Sequence, residues 1–450
     1  MEKIIQMILG FNLTMRFRLK QIILYISFLG INVVLGQEYF STFFPINNFS
    51  MDARSMAMGG VYSGPVQDPV FSAFGNPFYV SFDISRRSYT EKRSFPVIDM
   101  FEDVVTNNVY VLNRPAFTNI SWALGGDFEK YLRLPVSISL SGSPFWDMRY
   151  KYSEEIRASL GPGVYNRDPV VGYHLVNIDG MIKSLRLSIA TKIGNRVKLG
   201  MSFESLYDDA LSYEYGVNVI DNDDALASDS TKILNHSLSI NNVVRSSFGA
   251  VIDLKKNMSI GLSLKSFVDV EFQTGGLVPG INERTQLPGL SFSDSLSKYT
   301  IPLPQELGLS MSAQLDNPIK TIVTGGFTYL NWEDHDAQIV DHSSVDTVDY
   351  TYQSVFGVSF GVEHWILNKT PFRFGFVYSE SPLGSEFEIT KVSIGSGWVY
   401  DNISIDVAAI FGSIEYMYTD LFVPISQESS ALERVNESSA VLKATIKYSF

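Results

Sequence analysis

The last ten residues, VLKATIKYSF, alternate without interruption: Leu442, Ala444, Ile446, Tyr448 and Phe450 fall on one face, and Lys443, Thr445, Lys447 and Ser449 on the other. A repeat of two belongs to a β-strand whose faces meet different surroundings. The same period recurs along the chain. In NMSIGLSLKS, Met258, Ile260, Leu262 and Leu264 alternate with Ser259, Gly261, Ser263 and Lys265, and VKLGMSFES and NISIDVAA repeat the pattern. A soluble sandwich alternates too, so strand length and connections must decide. Runs such as HLVNIDGMIKSLRLSIATKIG and NHSLSINNVVRSSFGAVIDLKKN exceed the about 5–6 residues usual in globular strands. They are joined alternately by tight polar turns (GNR, KKN, LDNP) and by long polar loops (VIDNDDALASDSTKIL, HDAQIVDHSSVDTVD). Strands that cross a bilayer, with only one rim elaborated, produce that asymmetry. The expected fold is all-β: a transmembrane antiparallel β-barrel of about 14 strands, an even number as single-chain bacterial barrels have.

Composition agrees where it bears on this. Hydrophobic residues make up 45% and charged ones only 18%, with 31 Phe and 23 Tyr, which suits strands that turn an apolar face outward. The absence of cysteine removes disulfide scaffolds, thiolate metal sites and cysteine nucleophiles. A net charge of -13 and a pI near 4.9 argue against nucleic acid as a partner. Near the N-terminus, QIILYISFLGINVVLG follows Arg16, Arg18 and Lys20. A basic flank before a short apolar core reads as a secretory signal peptide over residues 1–36, cleaved near Gly36–Gln37, with Met15 as an alternative start. No other stretch approaches the roughly 20 apolar residues of a membrane helix.

Between leader and strands stands ARSMAMGGVYSGPVQDPVFSAFGNPF, Ala53 to Phe78, rich in Gly, Met and Phe and neither strand nor helix in pattern. It resembles the N-terminal signature of the FadL-type outer-membrane transport family, which includes relatives among type IX secretion shuttles. The matching residues are Ala53-Arg54, Met58-Gly59-Gly60, Asp68 and Asn76-Pro77; Gln67 and Phe78 depart from the pattern. A second similarity begins at IPLPQELGLSMSAQLDNPIKTIVTGGFTYLNWEDHD and continues through TPFRFGFVYSESPLG and SIGSGWVYDNISIDVAAIFG. The final strand, ending in Phe450, resembles the signal read by the outer-membrane barrel-assembly machinery.

The resemblance implies a hatch over residues 37–78 folded inside a barrel over 79–450, in the outer membrane of a Gram-negative bacterium. The implied function is passive transport of hydrophobic or amphipathic small molecules such as long-chain fatty acids, with membrane lipids as surroundings. The alternative is a secretion-associated shuttle that binds secreted proteins. Met56, Met58, Phe71, Phe74 and Phe78 are the candidate apolar ligand contacts, since Met and Phe adapt to lipid-like molecules of varied shape. Gly59 and Gly60 supply a tight turn. Gly142 and Pro144, inside the expected third strand, mark a candidate lateral opening, because proline cannot donate to a strand ladder.

Catalysis finds little support. His174, His236, His335, His342 and His364 form no His-Glu-x-x-His motif and flank no nucleophile elbow. The group Asp334, His335, Asp336, Asp341 and His342 reads as an acidic loop. DNDDALASDS, with Asp221, Asp223 and Asp224, lacks the Gly and Glu of a calcium loop. The expectation is a non-enzyme without metal or cofactor.

Overall fold

The structure is a computed structural model that describes residues 38–45, 52–60, 78–101, 103–158, 168–221, 234–255, 257–282, 284–333, 337–340, 347–350, 352–366, 370–422 and 432–450. Twenty-one strands lie among them. Fourteen close a barrel: β1 (Tyr79–Ile98), β2 (Ala116–Asp127), β3 (Val136–Asp147), β4 (Val170–Ile193), β5 (Val197–Val219), β6 (Val243–Lys255), β7 (Met258–Lys265), β8 (Gln305–Gln314), β9 (Ile322–Asn331), β10 (Val355–Ile366), β11 (Thr370–Ser379), β12 (Ile389–Tyr400), β13 (Ile403–Tyr418) and β14 (Glu433–Ser449). Each pairs antiparallel with the next. The ring shuts where β1 meets β14, from Tyr79 opposite Ser449 to Ser94 opposite Arg434.

Pairing around the ring satisfies the backbone groups along most of the wall, and the side chains then sort inside out. On β14, Leu442 and Ile446 are half exposed, whereas Lys443 and Thr445 are buried toward the lumen. On β1, Val80, Phe82 and Ile84 face outward while Asp83, Ser85 and Arg87 are buried. A closed barrel with an apolar exterior and a polar interior is a strand structure that lipid tolerates, because no edge is left unpaired. The outward apolar band gives way to Ser438, Asn436 and Arg434 at the upper end of β14.

One rim carries short links, such as residues 194–196 and 401–402, together with the C-terminus. Longer connections rise from the other rim and hold the remaining strands. Val268–Ile281 and Pro288–Leu303 form a hairpin that joins Leu234–Ile240. This hairpin reaches over the mouth: Phe272 stacks on Tyr299 at 4.8 Å and meets Trp146 of β3 edge-on at 5.6 Å. Its tip is tied to the end of β13, where the Tyr418 hydroxyl donates to the Pro288 carbonyl at 2.9 Å and the Asn282 amide to Thr419 Oγ1 at 2.7 Å. Beyond β13, Phe422 is stacked between His174 at 4.5 Å and Tyr215 at 4.6 Å. These contacts join the largest hydrophobic core, which fills the upper lumen.

The signal peptide 1–36, together with Asp68, Phe71, Phe74, Asn76, Pro77, Asp223, Asp224 and the Asp334–His342 group, lies outside the described residues.

Candidate functional site

Two pieces of the N-terminal segment lie inside the barrel. The first runs from Glu38 to Phe44, where Tyr39, Phe40, Phe43 and Phe44 are each no more than 1% exposed. Tyr39 packs on Tyr150 and Tyr418, Phe40 on Phe387 and Tyr416, and Phe44 on Trp332 and Tyr352, at ring separations of 5.2 to 6.1 Å. Polar contacts hold its start: the Glu38 carboxylate pairs with Arg87 of β1, and its backbone N–H donates to Glu437 of β14. Burying four aromatic side chains, each worth about 1.5–3 kcal/mol, anchors a stretch with one short 3₁₀ turn, Phe40–Thr42.

The second piece is the helix α1 (Ala53–Ala57). Asp52 caps it by accepting the Ser55 N–H at 2.7 Å, and Gly59 and Gly60 end it at φ of 68° and 77°, angles that favour glycine. The barrel meets α1 with an ion-pair ladder. Arg54 donates to both oxygens of Glu363 on β10, Arg373 of β11 donates to Glu363 at 2.6 Å, and Arg373 also reaches Asp406 of β13 at 2.7 Å. Three strand glycines make the seat. A Cβ on Gly361 would collide with the Met58 carbonyl, one on Gly375 with the Gly59 nitrogen, and one on Gly395 with the Ala57 side chain.

Between these pieces and the wall lies a cavity of about 410 Å³. Phe44, Pro45, Met56, Gly59 and Gly60 line it from the plug side. The opposite wall consists largely of the inward positions of β7 to β10: Gly261 and Ser263, Gly308 and Ser310, Gly326 and Thr328, Gly357 and Ser359. Their neighbours Leu262, Leu309, Phe327 and Val358 face outward. Small inward residues therefore leave room where large ones would fill it. Charged groups border the same space, with Arg186, Arg245 and Lys265 beside Glu204 and Glu306. Arg186 pairs with Glu204 at 2.7 Å and Lys265 with Glu306 at 2.8 Å.

The wall is incomplete between β2 and β3. Their ladder stops at Trp122 opposite Gly142, so Ala116–Ser121 of β2 and Ser143–Asp147 of β3 share no rungs. On the far side of β3, pairing with β4 shifts between Pro144 and Trp146, leaving Phe145 as a bulge. Phe145 and Ser85 both line the cavity. Side chains bridge the unpaired stretch: the Asn119 amide donates to Asp147 at 2.9 Å, and Arg149 donates to Asp147 and to the Thr118 carbonyl.

Of the residues expected from sequence, Met56 reaches the cavity, while Met58 is fully buried against the β10–β11 wall. Phe78 is elsewhere. It packs on Phe128 and Tyr131 at the rim, at 4.9 and 5.7 Å. Gly142 and Pro144 fall in β3, at the last rung and beside the bulge. The aromatic quartet Tyr39 to Phe44 and the glycine–serine wall were not singled out from sequence. The signal for the wall was present in the polar half of each alternation, where Gly and Ser stand in place of long polar residues. No group of metal-ligating side chains occurs among the described residues.

No protein-family model matches the sequence, and no curated protein matches it. Solved structures do resemble it. A FadL homologue from Pseudomonas aeruginosa superposes with a TM-score of 0.60 at 13% identity, covering 89% of this chain and 98% of that one. The toluene transporter TodX of P. putida gives 0.56 at 13% identity, over 90% and 99% of the two chains. The toluene transporter TbuX of Ralstonia pickettii gives 0.53 at 15%, again over 90% and 99%. With a plug seated in a ring of fourteen strands, this chain has the FadL-type fold.

Proposed function

We propose that the chain is an outer-membrane channel that passes hydrophobic or amphipathic small molecules into the cell. The cavity between plug and glycine–serine wall carries this reading, because it adjoins both the plug and the unpaired stretch of wall. Its size suits a small organic ligand. An apolar body would lie along Phe44, Met56 and the small-residue wall, and a polar end among Arg186, Arg245 and Lys265. Long-chain fatty acids fit that division; the toluene transporters of the same fold make aromatic hydrocarbons the other candidate class. Release would follow between β2 and β3, where side chains rather than backbone rungs close the wall. The outer membrane is favoured by the apolar exterior of the closed barrel.

A second reading, a shuttle that receives secreted proteins, draws on one observation. The mouth is covered by an ordered hairpin rather than left open.

The deciding experiment is mass spectrometry of molecules extracted from the purified barrel, comparing wild type with Ser310→Phe, which fills the cavity. Transport requires an apolar or amphipathic molecule in the wild type that is depleted in Ser310→Phe. An empty wild type that retains a secreted protein would put the shuttle first.

A further inference from the structure

The upper part of β1 outgrows the barrel. Its pairing with β14 ends at Ser94, but it continues to Ile98 and pairs with Val104–Asn113 from Glu91 onward. Above Ser94 the described residues therefore form a ribbon of two strands. Such a ribbon is marginal by itself in water, and this one is unusually apolar. Phe95, Val97, Val104, Val105 and Val109 are all exposed, and at the tip Met100 and Phe101 are 88% and 76% exposed.

The tip is ordered by its own hydrogen bonds. Asp99 accepts from the Phe101 N–H at 2.8 Å and the Asp103 N–H at 3.1 Å, so the turn that presents Met100 and Phe101 is held in place. Lipid does not account for this surface. The outward face of β1 and β14 passes through Lys92, Asn436 and Arg434 before the ribbon begins, which separates its apolar side chains from the lipid-facing band by a polar zone. Long connections mark this rim as the external one.

The two edges of the ribbon differ. Pro96 blunts the edge Phe95–Ile98, since proline offers no N–H to a further strand. The edge Val104–Val109 has neither proline nor lysine, and no strand pairs with its outer side among the described residues. We infer that this open edge accepts an added β-strand from a partner protein outside the cell: an extended segment with alternating apolar side chains and a basic residue placed against Asp99 and Asp103. Backbone rungs would supply affinity, and the acidic tip would set the partner's charge. A second copy is a poorer occupant. Two barrels in one membrane hold these strands in the same direction and would bring their acidic tips together.

The test places p-benzoylphenylalanine at Val105, on the open edge, or at Val97, on the blunted one, in the full-length protein in its own cell envelope. Cross-linked peptides are then sequenced by mass spectrometry. Val105 should give an adduct to an extended, alternating segment carrying lysine or arginine, severalfold more than Val97. Asp99→Asn with Asp103→Asn should lower that yield severalfold while the asparagine oxygen still closes the turn; heat-dependent gel mobility confirms folding. No adduct at Val105, adducts only to lipid or to another copy of this chain, equal yields at the two positions, or a yield indifferent to the charge change would each overturn the inference.

Discussion

Arg54 on the plug helix donates to both carboxylate oxygens of Glu363 on β10, at 3.0 and 2.7 Å, and Glu363 is wholly buried. The same carboxylate also receives Arg373, so losing Arg54 leaves it with one cation. Arg54→Ala should weaken plug seating by about 1.5–3 kcal/mol, the range for hydrogen bonds to charged groups, while the barrel stays closed. Hydrogen exchange should speed up across residues 53–60 and stay unchanged in β14. Exchange that rises equally in both would mean that the ladder supports the barrel rather than the plug.

The glycine seat predicts the same loosening by a different physical route. Gly361 and Gly375 are paired across β10 and β11, and a side chain on either meets plug backbone that cannot swing aside. Gly375→Val should displace α1; the same Cβ also meets the Ser393 hydroxyl of β12, the end of a side chain that can rotate away, and valine otherwise suits a strand. In planar bilayers this variant should show conductance openings more often than wild type. Quiet bilayers with a normally folded barrel would show that the seat has slack.

How far these features could be read in advance differs from one to the next. The inside-out alternation of Leu442, Lys443, Ile446 and Lys447 was plain, because a period of two survives whichever face meets lipid. The number of barrel strands followed from it. The seven other strands were hidden, since a polar stretch such as HDAQIVDHSSVDTVD looks like a loop until the pairing of Ala337–Val340 with Thr347–Tyr350 is known. Within the plug, the signature residues fall on and just after α1, where Met56 lines the cavity and Gly59 and Gly60 take positive φ. Phe78 did not follow, because proximity in sequence to the plug said nothing of its packing on Phe128. The quartet from Tyr39 to Phe44 was missed for a related reason: its role comes from Tyr150, Trp332 and Tyr418, all remote in the chain.

That quartet fills space that an apolar cargo could use. Phe40→Ala with Phe44→Ala should lower stability, by about 3–5 kcal/mol for each truncated aromatic if the core does not relax. The vacated volume should in turn admit more ligand. Binding of a fluorescent long-chain fatty acid, measured alongside the melting temperature, should rise as stability falls. Weaker binding would instead identify these rings as part of the ligand's own contact surface.

The last prediction concerns the wall. Trp122 and Gly142 form the final rung between β2 and β3, so Ser121 and Ser143 are the first residues beyond it. Both are buried. Cysteines at these two positions, joined by oxidation or by a short thiol-reactive linker, would extend the closed part of the wall with a covalent tie. If cargo leaves between β2 and β3, fatty acid or toluene uptake by cells carrying the double variant should fall under oxidising conditions and recover on reduction. Each single cysteine should behave as wild type under both. Uptake that persists with the tie in place would send the cargo past the plug toward the short-turn rim, and the bulge at Phe145 would then be a feature of β3 packing alone.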